Sequence, residues 1–150
     1  MESSSSPARV LVVAHRTAAT AGLGDAVRRR ASEGPARFTL LVPRTAHGLH
    51  RLTDPEEADA SEARAILDRA LPLLSNAAGT PVDGLLGDPT PLTAIEDALN
   101  SQPFDEIIIS TLPARMSRWL RLDLPSKLSG FGLPVTTVTA AEEPAAAIAS

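Results

Sequence analysis

Phe104–Gly130, FDEIIISTLPARMSRWLRLDLPSKLSG, decides how the rest of the chain is read. Ile107, Ile108 and Ile109 form a continuous β-branched run, the pattern of a strand covered on both faces. The run ends in two small hydroxyl residues, Ser110 and Thr111, and then in a basic, irregular segment. Helical character resumes near Asp123–Ser126, and a last helix is expected from about Leu124 to Ser129. Strand, polar exit, loop and helix make up half of a parallel crossover unit. In an open parallel sheet, ligands settle where such loops leave the carboxyl ends of strands.

The same alternation runs through the flanking sequence. Val10–Ala14 (VLVVA) is continuously apolar and is followed directly by His15, Arg16 and Thr17. Thr20 is placed to cap a helix reaching about Ser32, with Leu23, Val27 and Ala31 on one face. Phe38–Val42 (FTLLV) reads as a second strand, and Val82–Leu86 as a third, weakened by Gly84. Thr53 with Glu56 has the spacing of a capping box for a helix to about Ala78. That helix is expected to bury Ala63, Ile66, Ala70, Leu73, Leu74 and Ala77, and to kink or break near Leu71 because Pro72 removes a donor. Thr90 and Pro91 suit the start of a helix carrying Leu92, Ile95 and Leu99. Val135–Thr139 (VTTVT) supplies a fifth strand. The expected fold class is α/β: a five-stranded parallel doubly wound sheet with helices on both faces and right-handed crossovers. Residues 1–8 are expected to be a disordered Ser-rich tail, 9–139 one domain, and 140–150 a loose C-terminal tail.

Composition narrows the function classes. A chain of 150 residues with 43% hydrophobic and 21% charged residues is the size and character of one globular domain. Aromatics make up only 3%, so the core must be aliphatic. The absence of Cys excludes disulfides, thiol nucleophiles and thiolate metal sites. A net charge of −4 gives no reason to expect nucleic acid or an anionic membrane as partner, and no apolar run is long enough to span a bilayer. A soluble, cytoplasmic protein is the default expectation.

Gly87-Asp88-Pro89 after strand three, together with the segment from strand four to strand five, resembles the universal stress protein family over roughly Arg9–Thr139. The resemblance implies the sheet order 3-2-1-4-5, a binding or regulatory role in the stress response, a nucleotide site, and a homodimer across strand five. ATP-binding members carry G-x2-G-x9-G-[ST] after strand four, a frame that falls here on Ser110, Pro113, Asp123 and Leu124, while Ser126 matches a second family serine. Where the family has an aspartate after strand one, this chain has His15. Glycines in a phosphate loop allow positive φ and close approach of backbone to phosphate. Pro113 removes a donor, and Asp123 sets a carboxylate beside the phosphates. ATP binding is therefore expected to be weak or lost. A nucleotide in another pose or a smaller anion stays open as ligand, served by the hydroxyls and by Arg115, Arg118, Arg121 and Lys127.

The candidate ligand-binding residues are accordingly His15, Arg16 and Thr17 after strand one, Gly87 and Asp88 after strand three, Ser110, Thr111 and Arg115 after strand four, and Asp123 and Ser126 at the last helix. Several have simpler roles beside the functional one: Ser110 and Thr111 as strand-end hydroxyls bonding locally, Asp123 and Asp88 as caps, and the arginines as a solvated face around Trp119. His15, His47 and His50 would share the carboxyl edge, but H-x-x-H in a loop lacks the helical context of known metal motifs, and no metal is assigned. No G-x-S-x-G elbow, Walker A or G-x-G-x-x-G occurs, and no catalytic residue is assigned. Two other readings stay open: a structural interaction protein whose pocket is filled by its own side chains, and a nucleotide-processing enzyme using His15. For the dimer the sequence adds its own argument, since Val135–Thr139 contains no charge that would block pairing of an edge strand.

Overall fold

The computed structural model describes residues 7–15, 17–44, 55–111, 130 and 132–139. Its strands are β1 (Ala8–Val13), β2 (Ala36–Pro43), β3 (Asp83–Gly87), β4 (Glu106–Thr111) and β5 (Val135–Thr139). They form one sheet in the order β3-β2-β1-β4-β5, and all four pairings are parallel. The described helices are α1 (Ala21–Ser32), α2 (Pro55–Ala78) and α3 (Pro91–Ser101). The expected sheet, its order and its parallel sense are those observed. β1 starts at Ala8 and β2 at Ala36, each two residues before its apolar run. The helix expected at Leu124–Ser129, the capping box at Thr53 and both chain termini lie outside the described residues.

Each strand residue serves one face or the other. Val10, Val12, Phe38, Leu40, Val42 and Ile108 pack with Leu23 and Val27 of α1 and with Ala63, Leu67, Ala70, Leu74 and Ala77 of α2. Leu11, Val13, Leu41, Ile107 and Ile109 face the opposite way, against Ala94, Ile95 and Ala98 of α3 and against Phe104. This division explains the unbroken apolar runs: with helices on both faces, neither parity of a central strand meets water. Burying each Leu or Ile side chain contributes about 1.5–3 kcal/mol, and the largest fully buried residues include one aromatic, Phe38, among Leu, Ile and Val.

Two expectations for α2 are corrected. The helix runs unbroken through Pro72. Pro72 lies on the exposed side, while Ala70 and Leu74 on either side of it are buried, so packing of the apolar face holds the helix across the missing donor. Leu73, expected in the core, is 51% exposed, and Leu67 takes the buried place instead. The cause is helix phase: Ala63, Leu67, Ala70, Leu74 and Ala77 form the buried stripe, Leu73 falls at its margin, and Leu67 packs closely on β3, where a Cβ on Gly84 would come within 2.9 Å of its side chain. Gly79 ends α2 with φ +76°, as expected of a C-terminal glycine.

Arg30, in the last turn of α1, does more than complement the helix dipole. Its Nε donates to both carboxylate oxygens of Glu106 at 3.0 Å, and Nη2 lies 2.9 Å from Oε2, tying the end of α1 to the start of β4. The side chains are 17% and 22% exposed, so solvent screening is partial. The hydrogen bond to Glu106 holds the guanidinium pKa above its ordinary value. Stability from a raised pKa is complete below the unfolded value and fades only as pH rises through the folded one. From the Arg30 side, no loss is expected on going from neutrality to about pH 10. Glu106→Gln keeps the shape and removes the charge, and should lower the unfolding free energy by about 1–3 kcal/mol in urea titrations; an unchanged midpoint would show that the pair contributes nothing.

Candidate functional site

All strand carboxyl ends lie on one edge, and the strand order reverses between β1 and β4. The chain leaves β1 through Ala14, whose N–H donates to the Leu41 carbonyl at 3.1 Å, and then makes two successive turns. Ala18 N–H donates to the His15 carbonyl and Thr20 N–H to the Thr17 carbonyl, both at 3.1 Å. Thr20 closes the second turn twice over: its hydroxyl donates to the Thr17 carbonyl at 2.8 Å and accepts from Leu23 N–H at 3.4 Å, capping α1. This stapling fixes Thr17, whose Oγ1 sits 2.8 Å from Ser110 Oγ on β4. Both residues are 1% exposed.

The Thr17–Ser110 bond joins residues 93 apart in sequence and ties the turn that follows β1 to the carboxyl end of β4, across the reversal. One hydroxyl donates to the other, and the acceptor keeps its own proton for a further acceptor. The switch point therefore holds one further buried O–H proton close to the N-terminal end of α1, where the helix dipole favours an anion. α1 has no acidic residue in its first turn to oppose this.

Gly87 and Asp88 lie on the same edge but two strands away, and both have local duties. The Gly87 carbonyl accepts from Arg44 N–H at 2.9 Å and from Arg44 Nε at 3.3 Å. A Cβ at Gly87 would fall 2.7 Å from Ala94 Cβ and 2.9 Å from Leu41 Cδ1, so glycine here permits close approach of α3 to the sheet. Asp88 Oδ1 accepts from Thr90 N–H at 2.8 Å and holds the turn that starts α3. Thr90 is the N-cap by position, without a side-chain cap bond. A groove of about 490 Å³ opens beside this corner, lined by Arg44, Gly87, Asp88 and Asp97. Arg44 was not foreseen as a polar contact of this edge, although its place directly after the β2 run was a usable signal.

Of the remaining expected residues, His15 is half-buried directly after β1, and Thr111 ends β4 in register with Thr139. Arg16, Arg115, Asp123 and Ser126 lie outside the described residues, as do His47 and His50. Among the described residues no group of three His, Asp or Glu side chains is placed to hold a metal, and no helix is long and apolar enough to cross a membrane.

This architecture defines an open, doubly wound α/β protein with its candidate site at the topological switch point. Neither a family model nor a curated protein sequence matches the chain significantly. Solved structures do. A universal stress protein in complex with cAMP superposes with a TM-score of 0.63 at 14% identity, covering 91% of this chain and 100% of its own. A universal stress protein family member from Burkholderia pseudomallei gives 0.60 at 19% identity, over 89% and 96%. An Arabidopsis thaliana family protein with AMP bound gives 0.57 at 12%, over 90% and 93%. The chain has the universal stress protein fold.

The buried hydroxyl pair is open to a double-mutant cycle. Thr17→Val alone leaves the Ser110 hydroxyl buried without its partner and should cost about 1–3 kcal/mol. Adding Ser110→Ala should recover part of that loss, and strict additivity would show that the two hydroxyls are not coupled. Gly87→Ala should cost about 1–3 kcal/mol by overpacking against Ala94 and Leu41; thermal denaturation at or above the wild-type midpoint would contradict it.

Proposed function

We propose that this chain is a universal stress protein-like binding or regulatory module of the cytoplasm. It takes an adenine nucleotide or a small anion at the β1–β4 switch point and binds ATP weakly or not at all. The observation that carries the reading is the Thr17–Ser110 bond, which sets a buried donor beside the N-terminus of α1, where an anionic group is favoured. The similar structures with cAMP and AMP support a nucleotide as ligand class. Ser110, Pro113 and Asp123 stand where the family's ATP loop has glycines. Asp123 repels a triphosphate more strongly than a monophosphate, so the expected preference is for AMP or cAMP over ATP.

Calorimetry with AMP, cAMP and ATP tests this. ATP should bind with a dissociation constant of millimolar or weaker, corresponding to at most about −4 kcal/mol. Micromolar ATP binding would sink the weak-ATP reading. A second reading, an interaction protein with a filled pocket, is favoured by the near-complete burial of Thr17 and Ser110. It is the one to adopt if no nucleotide binds and none co-purifies.

The module is further proposed to be a homodimer through β5, which pairs only with β4 among the described strands and exposes Thr136, Thr137 and Thr139. Pairing across a two-fold axis satisfies the free edge without leaving a template for growth. Sedimentation equilibrium at micromolar concentration should give a dimer, shifted toward monomer by Val138→Pro with circular dichroism unchanged. A wild-type monomer at that concentration would rule the dimer out.

A further inference from the structure

The opposite, amino-terminal edge of the sheet carries a polar cavity that the switch-point site does not use. Its volume is about 180 Å³, and it is lined by Arg9, Arg37, Thr39, Asp83, Gln102 and Phe104. The ladder registers explain how these residues meet. Arg9 and Arg37 are Cα partners on β1 and β2, and Thr39 is the Cα partner of Asp83 on β3. Residues paired in this way project from the same face, and Arg37 and Thr39, two apart, share that face as well. It is the face covered by α3, whose C-terminus delivers Gln102 and then Phe104 over the cavity.

Three features of this cavity are unresolved within the chain. Arg9 and Arg37, both exposed, stand opposite each other on neighbouring strands, so two like charges border the cavity and an anion between them would be favoured. Among the described residues neither guanidinium makes an ion pair. Thr39 is only 6% exposed, and among the described residues its hydroxyl has no hydrogen-bond partner. A buried polar group of this kind normally has one. A water in the cavity would serve Thr39 but would bring no negative charge to the two exposed arginines that border it.

The ligand is not a simple polyanion. Asp83 stands on the rim, and the last carbonyls of α3 put the negative end of a helix dipole over the cavity, with no basic residue in the last turn. The cavity thus offers cations on one side and acceptors on the other. We propose that it binds a small α-substituted carboxylic acid, an α-amino or α-hydroxy acid. The carboxylate is taken by Arg9 and Arg37, the α-ammonium or α-hydroxyl by Asp83, and Thr39 and Gln102 complete the polar contacts. The site is independent of the switch point, so its failure and the failure of the nucleotide reading are separately visible.

The test is an amide-resolved NMR titration of the full chain with L-serine, with L-lactate and with inorganic phosphate. Saturable shifts at Thr39, Asp83 and Gln102 are expected with serine, lactate or both, while phosphate is weaker. Serine without lactate assigns the ammonium arm, and lactate alone or alongside serine assigns a hydroxyl-tolerant one. Arg37→Gln, at an exposed position, should weaken binding about tenfold or more. Thr39→Val should weaken binding while leaving the melting temperature equal or higher, because it removes a buried hydroxyl that has no partner. Two outcomes overturn the proposal: no saturation with either acid, as for a cavity that holds only water, or saturation that both variants leave unchanged.

Discussion

β1 is hydrogen-bonded on both sides, by β2 and β4, and covered on both faces, so that Val10–Val13 are at most 1% exposed. A strand in that position has no route to water for its backbone or its side chains. The side chains of Val10–Val13 must all be apolar, the neighbours of β1 must be strands, and helices must cover each face. The last requirement drives the chain direction. α1 and α2 cover one face while the chain moves outward through β2 and β3. α3 covers the other as the chain returns to β4 on the far side of β1. The reversal beside β1 is thus a consequence of burying it, and the switch-point crevice is a consequence of the reversal.

Legibility in the sequence followed the same physics. Runs buried on both faces, VLVVA and III, announce themselves because no residue in them is free to be polar, and order and direction follow from the alternation with helices. What depends on close packing between distant elements was not legible. Leu73 sits at the margin of the stripe formed by Ala63, Leu67, Ala70, Leu74 and Ala77, and how far burial extends at such a margin depends on the neighbours; the missing Cβ of Gly84 lets Leu67 press against β3. Pro72 looked like a break because local chemistry predicts one, whereas the buried Ala70 and Leu74 around it belong to tertiary structure. At the site, Ser110 and Thr17 could be placed at the strand ends, but not bonded to each other. Their contact depends on the turn geometry stapled by Thr20. Gly87 was legible as a turn residue and proved to be a spacer for α3. Thr39 gave no signal at all, since a threonine within a strand is ordinary until its burial is known.

The two edges of the sheet differ in electrostatic character before any side chain is considered. In a parallel α/β unit the helices run opposite to the strands, so α1 and α3 begin at the carboxyl edge and end at the amino edge. The positive dipole end of α1 lies next to the switch point and that of α3 two strands away beside β3, and neither first turn carries an acidic residue to cancel it. Any anion affinity at that edge would therefore have a backbone origin and would not need a glycine loop, although a triphosphate would need such a loop in order to fit.

The amino edge has the reverse problem. Helix carbonyl ends gather there and favour cations, and the chain supplies them as Arg9, Arg29, Arg30 and Arg37. Arg30 is consumed by Glu106 in a bidentate ion pair. Arg9 and Arg37, adjacent in the β1–β2 ladder, are not matched in this way. The Asp105 carboxylate that could serve Arg9 accepts its backbone N–H at 2.8 Å instead. Helix ends are diffuse partners that fall off within a turn, and they give two exposed arginines at one cavity no counter-charge of their own. The same field that draws arginines to this edge sets the terms for anything bound between them. The proposed occupant answers both terms, with a negative group for the pair and a donor for the carbonyl ends, and a small acid with an α-substituent is the simplest molecule carrying both.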